Sequence, residues 1–315
     1  MKRVPRSLFG THELVLAVLL AAVMGAAAWM DPEFVAPGTQ LGVGPHAAEL
    51  ALLALPMTLI IIAGGIDLSV GSIMALASIT LGLLYGAGAP IWAACVGALA
   101  VGTAAGALNG FFVARVGVHP LLITLATLAA FRGLAEGVSR GRPVSGLPES
   151  FLALGDGSVV GIPIPLILVF AAAILAGVIA SASVWGSWVY AIGGNEAAAR
   201  YCGIPVARVK FLLFMASGAT AGLCAVLFAA QRNTAKADVG NGIELDVITA
   251  VVLGGTSIFG GRGTIAGTIL GVLLVHELRE FIGWRWGEDE IILIVIGGVL
   301  IGSVVLTNFV LRARD

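Results

Sequence analysis

The sequence predicts an all-α fold: a polytopic membrane helical bundle of about ten transmembrane helices with both termini cytoplasmic. Three observations predict it. Of the 315 residues, 59% are hydrophobic and only 11% are charged, whereas a soluble domain, whose surface must face water, carries roughly 25% charged residues. The mean hydropathy is +1.04. The apolar residues also fall into segments close to the roughly 20 residues a helix needs to cross hydrocarbon.

The first segment, 14–30, follows Lys2, Arg3 and Arg6 and precedes Asp31 and Glu33. Such a start resembles a signal peptide, with Ala26-Ala27-Ala28 as a cleavage site. The many apolar segments after it favour an uncleaved first span. Further spans are expected at 49–66, 70–86, 90–113 and 119–137, then at 163–183, 210–230, 244–259, 264–282 and 290–311. The longest connections are 31–48, 138–162 and 184–209. None has room for a soluble domain, so 1–315 reads as one transmembrane domain.

Charge sets the orientation. With the N-terminus inside, the inner loops hold Lys2, Arg3, Arg6, Arg115, Arg200, Arg208, Lys210, Arg262, Arg312 and Arg314. This is a mild positive-inside bias. The acidic residues Glu136, Glu149, Asp156, Asp238, Glu244, Asp246, Glu288, Asp289 and Glu290 then fall at or near the outer ends. A net charge of −1 without a Lys/Arg run gives no reason to expect a nucleic-acid partner.

Small residues recur every fourth position at Gly82/Gly86, Gly102/Gly106/Gly110, Gly218/Gly222, Gly263/Gly267/Gly271 and Gly298/Gly302. Such rows let helices approach closely, which matters where lipid supplies no hydrophobic drive between helices. Cys95 and Cys224 lie in apolar segments and Cys202 in a polar loop. Three cysteines in such places make no disulfide framework.

An internal echo links the two halves of the chain. Gly64-Gly65 and Gly254-Gly255 each open a Gly-Gly-x5-Gly frame that interrupts an apolar stretch. Paired, Gly-broken segments point to a transport site, since unwound backbone can line a polar cavity. Asp67 is conspicuous in its otherwise uncharged stretch. A carboxylate at the bilayer centre costs about 2.5–3.5 kcal/mol on insertion scales, so it needs a cavity, a partner or a helix N-terminus. Asp67 or Ser69 is placed to cap a helix starting near Val70.

The polar inner stretch around 190–205 contains Gly193-Gly194-Asn195-Glu196-Ala197-Ala198-Ala199-Arg200. Asn195 is a good N-cap, Glu196 suits a first turn, and the alanines support helix, while Gly203 and Pro205 supply the stop. A helix of about two turns is therefore expected between two spans, either as a surface amphipathic helix or as a lever touched by a cytoplasmic partner.

Chemistry in this chain is not expected. No G-x-x-x-x-G-K-[ST] phosphate loop occurs, and Gly261-Arg262-Gly263-Thr264 lacks the lysine that would reach phosphates. His276-Glu277-Leu278-Arg279-Glu280 opens like a zinc-protease helix but ends on Glu where a second His ligand is required. No G-x-S-x-G nucleophile elbow is present. Catalytic and metal sites are thus expected to be absent.

Here a resemblance enters. Ala63-Gly64-Gly65-Ile66-Asp67-Leu68-Ser69-Val70-Gly71-Ser72 resembles the signature of ribose-type ABC sugar permeases. Ile248 to Gly255, continuing to Gly263-Thr264, is similar to the same family's second signature. Gly193 to Arg200 with Gly203-Ile204 resembles its cytoplasmic coupling loop. The likeness runs from about residue 50 to 305 and covers little of the first 45. Branched-chain amino-acid permeases usually differ where this chain has Gly-Ile-Asp-Leu-Ser, which favours the sugar branch. Within it, the chain is similar to the deoxyhexose (rhamnose) and autoinducer-type members.

The resemblance implies a permease of the bacterial inner membrane, working as a dimer with a second copy or a sister permease. It implies a periplasmic sugar-binding protein outside and a tandem-domain ATPase inside, which would bind the ATP and Mg; no cofactor is expected in this chain. It makes Gly193, Gly194, Asn195, Glu196, Ala197, Ala198, Arg200, Gly203 and Ile204 the coupling segment. Asp67, Ser69, Gly64, Gly65, Gly254 and Gly255 would lie near the translocation path, and Asn109, Thr124, Ser72 and Thr127 are polar candidates within apolar spans. Two rival readings are an ATP-independent channel or secondary carrier, which would need no coupling loop, and a purely structural scaffold.

Overall fold

A computed structural model of the chain describes residues 11–287, together with positions 294, 297 and 298. The last expected span, 290–311, and both chain ends lie outside the described residues. Among the described residues the fold is helical, with two short ladders: Val144–Ser145 pairs antiparallel with Thr234–Ala235, and Ser158–Val159 with Ile162–Pro163. The helices are α1 (Thr11–Met30), α2 (Pro37–Val43), α3 (Ala47–Ile62), α4 (Val70–Gly86), α5 (Ile91–Phe111), α6 (Pro120–Ser139) and α7 (Glu149–Asp156). Then follow α8 (Ile164–Ala182), α9 (Val184–Gly194), α10 (Glu196–Tyr201), α11 (Val206–Arg232), α12 (Ile243–Leu253) and α13 (Ile265–Arg285).

Among the described residues, six stretches are long and apolar enough to cross a membrane: His12–Met30, Pro37–Ile62, Ile91–Val116, Pro120–Ser139, Ile164–Ala182 and Val206–Arg232. The apolar α4 is shorter, with 17 residues. The molecule is a helical membrane bundle. The expected span 244–259 takes another form: α12 has only 11 residues and gives way at Gly254 to an irregular loop. Near 264–282, α13 runs for 21 residues but carries His276, Glu277, Arg279 and Glu280 in its second half.

The centre of the bundle is α3, in which every residue but Glu49 and Leu50 is buried. Around it stand α8, α11, α12 and α13, while α4 and α5 pack against α11. Two glycine rows account for the closest approach. A Cβ on Gly102 would fall 2.5 Å from the Gly218 carbonyl oxygen, and one on Gly222 would fall 3.0 Å from the Ala98 carbonyl oxygen. Thus α5 and α11 pack backbone to backbone. Gly254 and Gly267 mesh the same way between α12 and α13. A further link is polar: the Thr58 and Thr268 hydroxyls lie 2.7 Å apart between α3 and α13.

Contacts sort the loops into two ends. At one end Thr264 donates to Glu13, and the Gly261 amide donates to the Ile62 carbonyl at 2.8 Å. At the opposite end Trp284 donates to Asp31 and Gln231 to the Pro45 carbonyl. Accordingly α1 and α13 run side by side in the same direction, and α1 is an integral part of the bundle, with Leu16 and Ala27 fully buried.

After α11 the chain turns back into the bundle as a two-residue strand, Thr234–Ala235, followed by turns as far as Gly242. Residues 234–242 run beside α4, with Ala235 against Gly82, the Lys236 amide donating to Ser78, and Gly240 against Gly71. From Gly82 to Gly71 is about 16 Å of helix at 1.5 Å per residue. Backbone at such depth must find partners in the protein. Arg132, in the middle of α6, supplies them by donating to the Ala237 and Val239 carbonyls at 2.6 and 2.9 Å.

Candidate functional site

The expected helix between two spans is present as α10. Asn195 caps it, its side chain accepting the Ala198 amide at 2.9 Å. The helix ends where Gly203 takes a left-handed φ of 81° and the Ile204 amide returns to the Ala199 carbonyl. A glycine there avoids the Cβ penalty of that conformation. Ala199 is the buried anchor, while Ala197, Ala198, Arg200, Tyr201 and Cys202 face outward. Tyr201, 93% exposed, is the most prominent side chain on this surface.

Glu196 fixes the helix to its neighbour. Its carboxylate accepts from Arg200, one turn on, at 2.7 Å, and from Lys210 at the start of α11. Burial alone would raise its pKa, but the hydrogen bonds from Lys210 and Arg200 outweigh that and hold it below the ordinary glutamate value. Beside α10, Arg115, Arg200 and Arg208 line an open groove of about 510 Å³.

Below α10 the end of α9 meets the end of α3, just before Gly64-Gly65, and residues 260–263 of the loop that follows Gly254-Gly255. Gly193 lies so close to the Ile62 carbonyl and the Gly261 amide that no side chain fits between them. The Tyr190 hydroxyl donates to the Gly263 carbonyl at 2.8 Å. The two Gly-Gly turns have matching hydrogen bonds. Gly64 and Gly65 return to Ile61 and Ile60, just as Gly255 and Thr256 return to Val252 and Val251. Each is a helix-ending turn with a left-handed glycine, Gly64 at φ 80° and Gly255 at φ 86°. Gly64 therefore corresponds to Gly255, and the echo read from the sequence is one residue out of register. Gly64 and Gly255 are exposed and Gly254 is buried.

Asp67 is fully buried, at 0% exposure. One carboxylate oxygen accepts from the Ser69 amide and hydroxyl at 3.0 and 2.6 Å, and the other from Ser217 of α11 at 2.8 Å. Asn109 of α5 donates to Ser69 at 2.8 Å. Ser69 is the N-cap residue of α4 by position, but its side chain makes no capping bond. Ser72 donates to the Ser69 carbonyl. Thr124 donates to Ile66 and Pro120, and Thr127 to Ile123 and Thr124. Asp67, Ser69 and Asn109 thus form one network tying α4, α5 and α11 together, with Thr124 at its edge and no polar face presented to solvent. No sequence signal marked Ser217, the residue just before the Gly218/Gly222 row.

At the opposite end of the bundle is a feature not anticipated from the sequence. A cavity of about 220 Å³ is lined by His46, Glu49, Arg232, Asp246, His276 and Glu280, among others. Arg279 pairs with Asp246 at 2.9 Å and His46 with Glu280 at 3.3 Å. Its ionisable groups come from four separate stretches of chain, around 46–49, 232, 246 and 276–280.

Comparison with known proteins follows the same lines. The family model described as branched-chain amino acid transport system / permease component matches residues 46–307. The chain is 36% identical over 282 residues to the ribose import permease protein RbsC of Bacillus subtilis, covering 89% of this chain and 87% of that protein. It is 34% identical over 299 residues to the autoinducer 2 import system permease protein LsrD of Yersinia enterocolitica, covering 93% and 90%. No solved structure matches. With a buried polar clamp, glycine-meshed spans, an α10 exposed at one end and a family match over most of its length, the chain belongs to this permease family and is the membrane-embedded, non-hydrolysing component of an ABC importer.

Proposed function

We propose that this permease carries a sugar or sugar-like solute of the ribose or autoinducer-2 class across the bacterial inner membrane, inward from a periplasmic binding protein. The relatives' names supply the solute class. The end bearing α10 faces the cytoplasm, where a tandem-domain ATPase holds ATP and Mg and receives Asn195 to Ile204 in a cleft. A second copy or a sister permease completes the path, and ten spans with both termini inside make residues 1–315 one transmembrane domain.

The observation that carries this reading is the junction at Gly193. Motion of α10 reaches Ile62 and Gly261 through backbone contact, with no flexible side chain between. The end of α3 and the loop that follows Gly254-Gly255 are therefore moved by one lever, as a bistable bundle driven from outside requires. A lone channel or proton-coupled carrier finds less support. Asp67, the acid such a carrier would use, is sealed at 0% exposure among hydroxyl donors.

The test is to purify the tagged protein in mild detergent and identify what accompanies it. Capture of an ATPase with tandem nucleotide-binding domains, lost when Glu196 becomes Arg, supports the coupling assignment. A protein that emerges alone, intact and transporting when reconstituted, overturns it in favour of the channel or carrier.

A further inference from the structure

The non-helical segment 234–242 presents charge where lipid does not accept it. Its depth is set by Arg132, which lies about 10 Å along α6 from Ser139 at its outer end and about 18 Å from Pro120 at 1.5 Å per residue, and which binds the Ala237 and Val239 carbonyls. At that depth the Asp238 side chain is 68% exposed and that of Lys236, paired with it at 3.2 Å, is 39% exposed. Asn241 is exposed as well, and Glu136 is exposed on the same helix as Arg132. Non-helical backbone and ionised groups carried below the outer ends of the spans are tolerated only where protein covers them or water reaches them. Gly240, at a left-handed φ of 66°, keeps the segment thin enough to lie against Gly71 of α4.

We propose that the face made by α6 and residues 234–242 lines the aqueous path for solute, with Asp238, Lys236, Asn241 and Glu136 as its polar surface and Arg132 as the residue that positions it. This rests on the importer reading above and deepens it by moving the path away from Asp67 and Asn109. The chemistry suits a neutral, hydroxyl-rich solute. Carboxylate, ammonium and amide groups stand side by side, so acceptors and donors are both available, and the Lys236–Asp238 pair neutralises itself rather than drawing ions.

The experiment uses the assembled importer in proteoliposomes. Asn241→Cys and, separately, Asp238→Cys are introduced beside Cys202→Ser, because Cys202 is the exposed native thiol while Cys95 and Cys224 are buried. The probe is a membrane-impermeant cationic methanethiosulfonate. Ile174→Cys, on the exposed apolar side of α8, serves as the lipid-facing control.

The result expected is labelling at 241 or 238 whose rate changes by about tenfold or more between the nucleotide-free and ATP-analogue states, since a path alternates its exposure with the population of the two states. Ile174→Cys remains unlabelled in both. Labelling no faster than the control overturns the proposal, and so does labelling indifferent to nucleotide, which describes a static water pocket. ATP hydrolysis by the same vesicles separates the two levels. Absent hydrolysis in the unsubstituted assembly counts against the importer reading, whereas intact hydrolysis with protected cysteines counts against the path alone.

Discussion

Ser217 donates a 2.8 Å hydrogen bond to Asp67 across 150 positions of chain, joining the start of α4 to the middle of α11 in the buried interior. The carboxylate also takes both donors of Ser69, so most of its acceptor capacity is met by neutral groups from the protein. That arrangement makes Asp67 a clamp between helices.

A clamp predicts loss of stability before loss of solute recognition. Ser217→Ala should lower stability by about 0.6–1.7 kcal/mol, the range seen for hydrogen bonds between membrane helices. Asp67→Ala should do more, because each hydroxyl left without an acceptor costs about 1–3 kcal/mol. Thermal unfolding in detergent, followed by size exclusion, measures both. An Asp67→Ala variant as stable as the parent would sink the clamp.

The glycine rows give a contrast within one molecule. Gly102→Ala places a Cβ 2.5 Å from the Gly218 carbonyl oxygen, and the conflict is with backbone, so α5 and α11 must part. The cost should match or exceed the about 1–3 kcal/mol of an overpacked core. Gly137→Ala on α6 meets nothing within 4 Å and should stabilise by about 0.5–1 kcal/mol through helix propensity alone. Equal effects of the two substitutions would refute the close approach.

Glu196 makes a pH prediction with a definite sign. Its folded pKa lies below the ordinary value of 4.5, since the donors Lys210 and Arg200 outweigh burial. The unfolded or detached loop therefore binds a proton more readily than the docked one. The stabilisation is fully present above pH 4.5 and fades as pH falls through the lowered value. Glu196→Gln should speed amide exchange of α10 at neutral pH, consistent with about 0.2–1 kcal/mol for an exposed pair. That difference from the parent should vanish in acid. A difference independent of pH would assign the effect to packing.

Tyr201 should be the anchor of α10 in its partner. It is 93% exposed, and exposed aromatics at interface centres often contribute 2 kcal/mol or more, roughly a 30-fold change in affinity. Tyr201→Ala should weaken ATPase capture by about that factor, while leaving the Asn195 cap and the Glu196 pairs in place. Unchanged capture would place the contact elsewhere on the loop.

The legible parts of this fold were those written in local pattern. Apolar length located α1, α5, α6, α8 and α11 to within a few residues, and the Asn195 cap with the Gly203 stop located α10. What stayed hidden depended on distant chain. The stretch 234–253 looks like a loop and a span because Val, Ile and Leu are common to strands and helices alike. Only the contacts with α4 and Arg132 reveal that its first half is non-helical chain laid inside the bundle. Asp67 was conspicuous, but its partner Ser217 carried no signal. The turn echo misled by one residue because the second glycine of one pair, Gly255, takes the left-handed place of the first of the other, Gly64.

Gly193→Ala is the sharpest test of transmission. Its Cβ would collide with the Ile62 carbonyl and the Gly261 amide, both backbone atoms held by a 2.8 Å hydrogen bond to each other. Nothing there is the tip of a flexible side chain, so relief requires α9 to lift off the end of α3 and the loop that follows Gly254-Gly255. The outward residues Ala197, Ala198 and Tyr201 lie beyond the Asn195 cap and keep their local fold. Capture of the ATPase should therefore survive, whereas transport driven by hydrolysis should fall while hydrolysis continues. Gly194→Ala next door meets nothing within 4 Å and should transport normally. Loss of both capture and transport in Gly193→Ala would mean that the junction holds α10 in place and does not relay its motion.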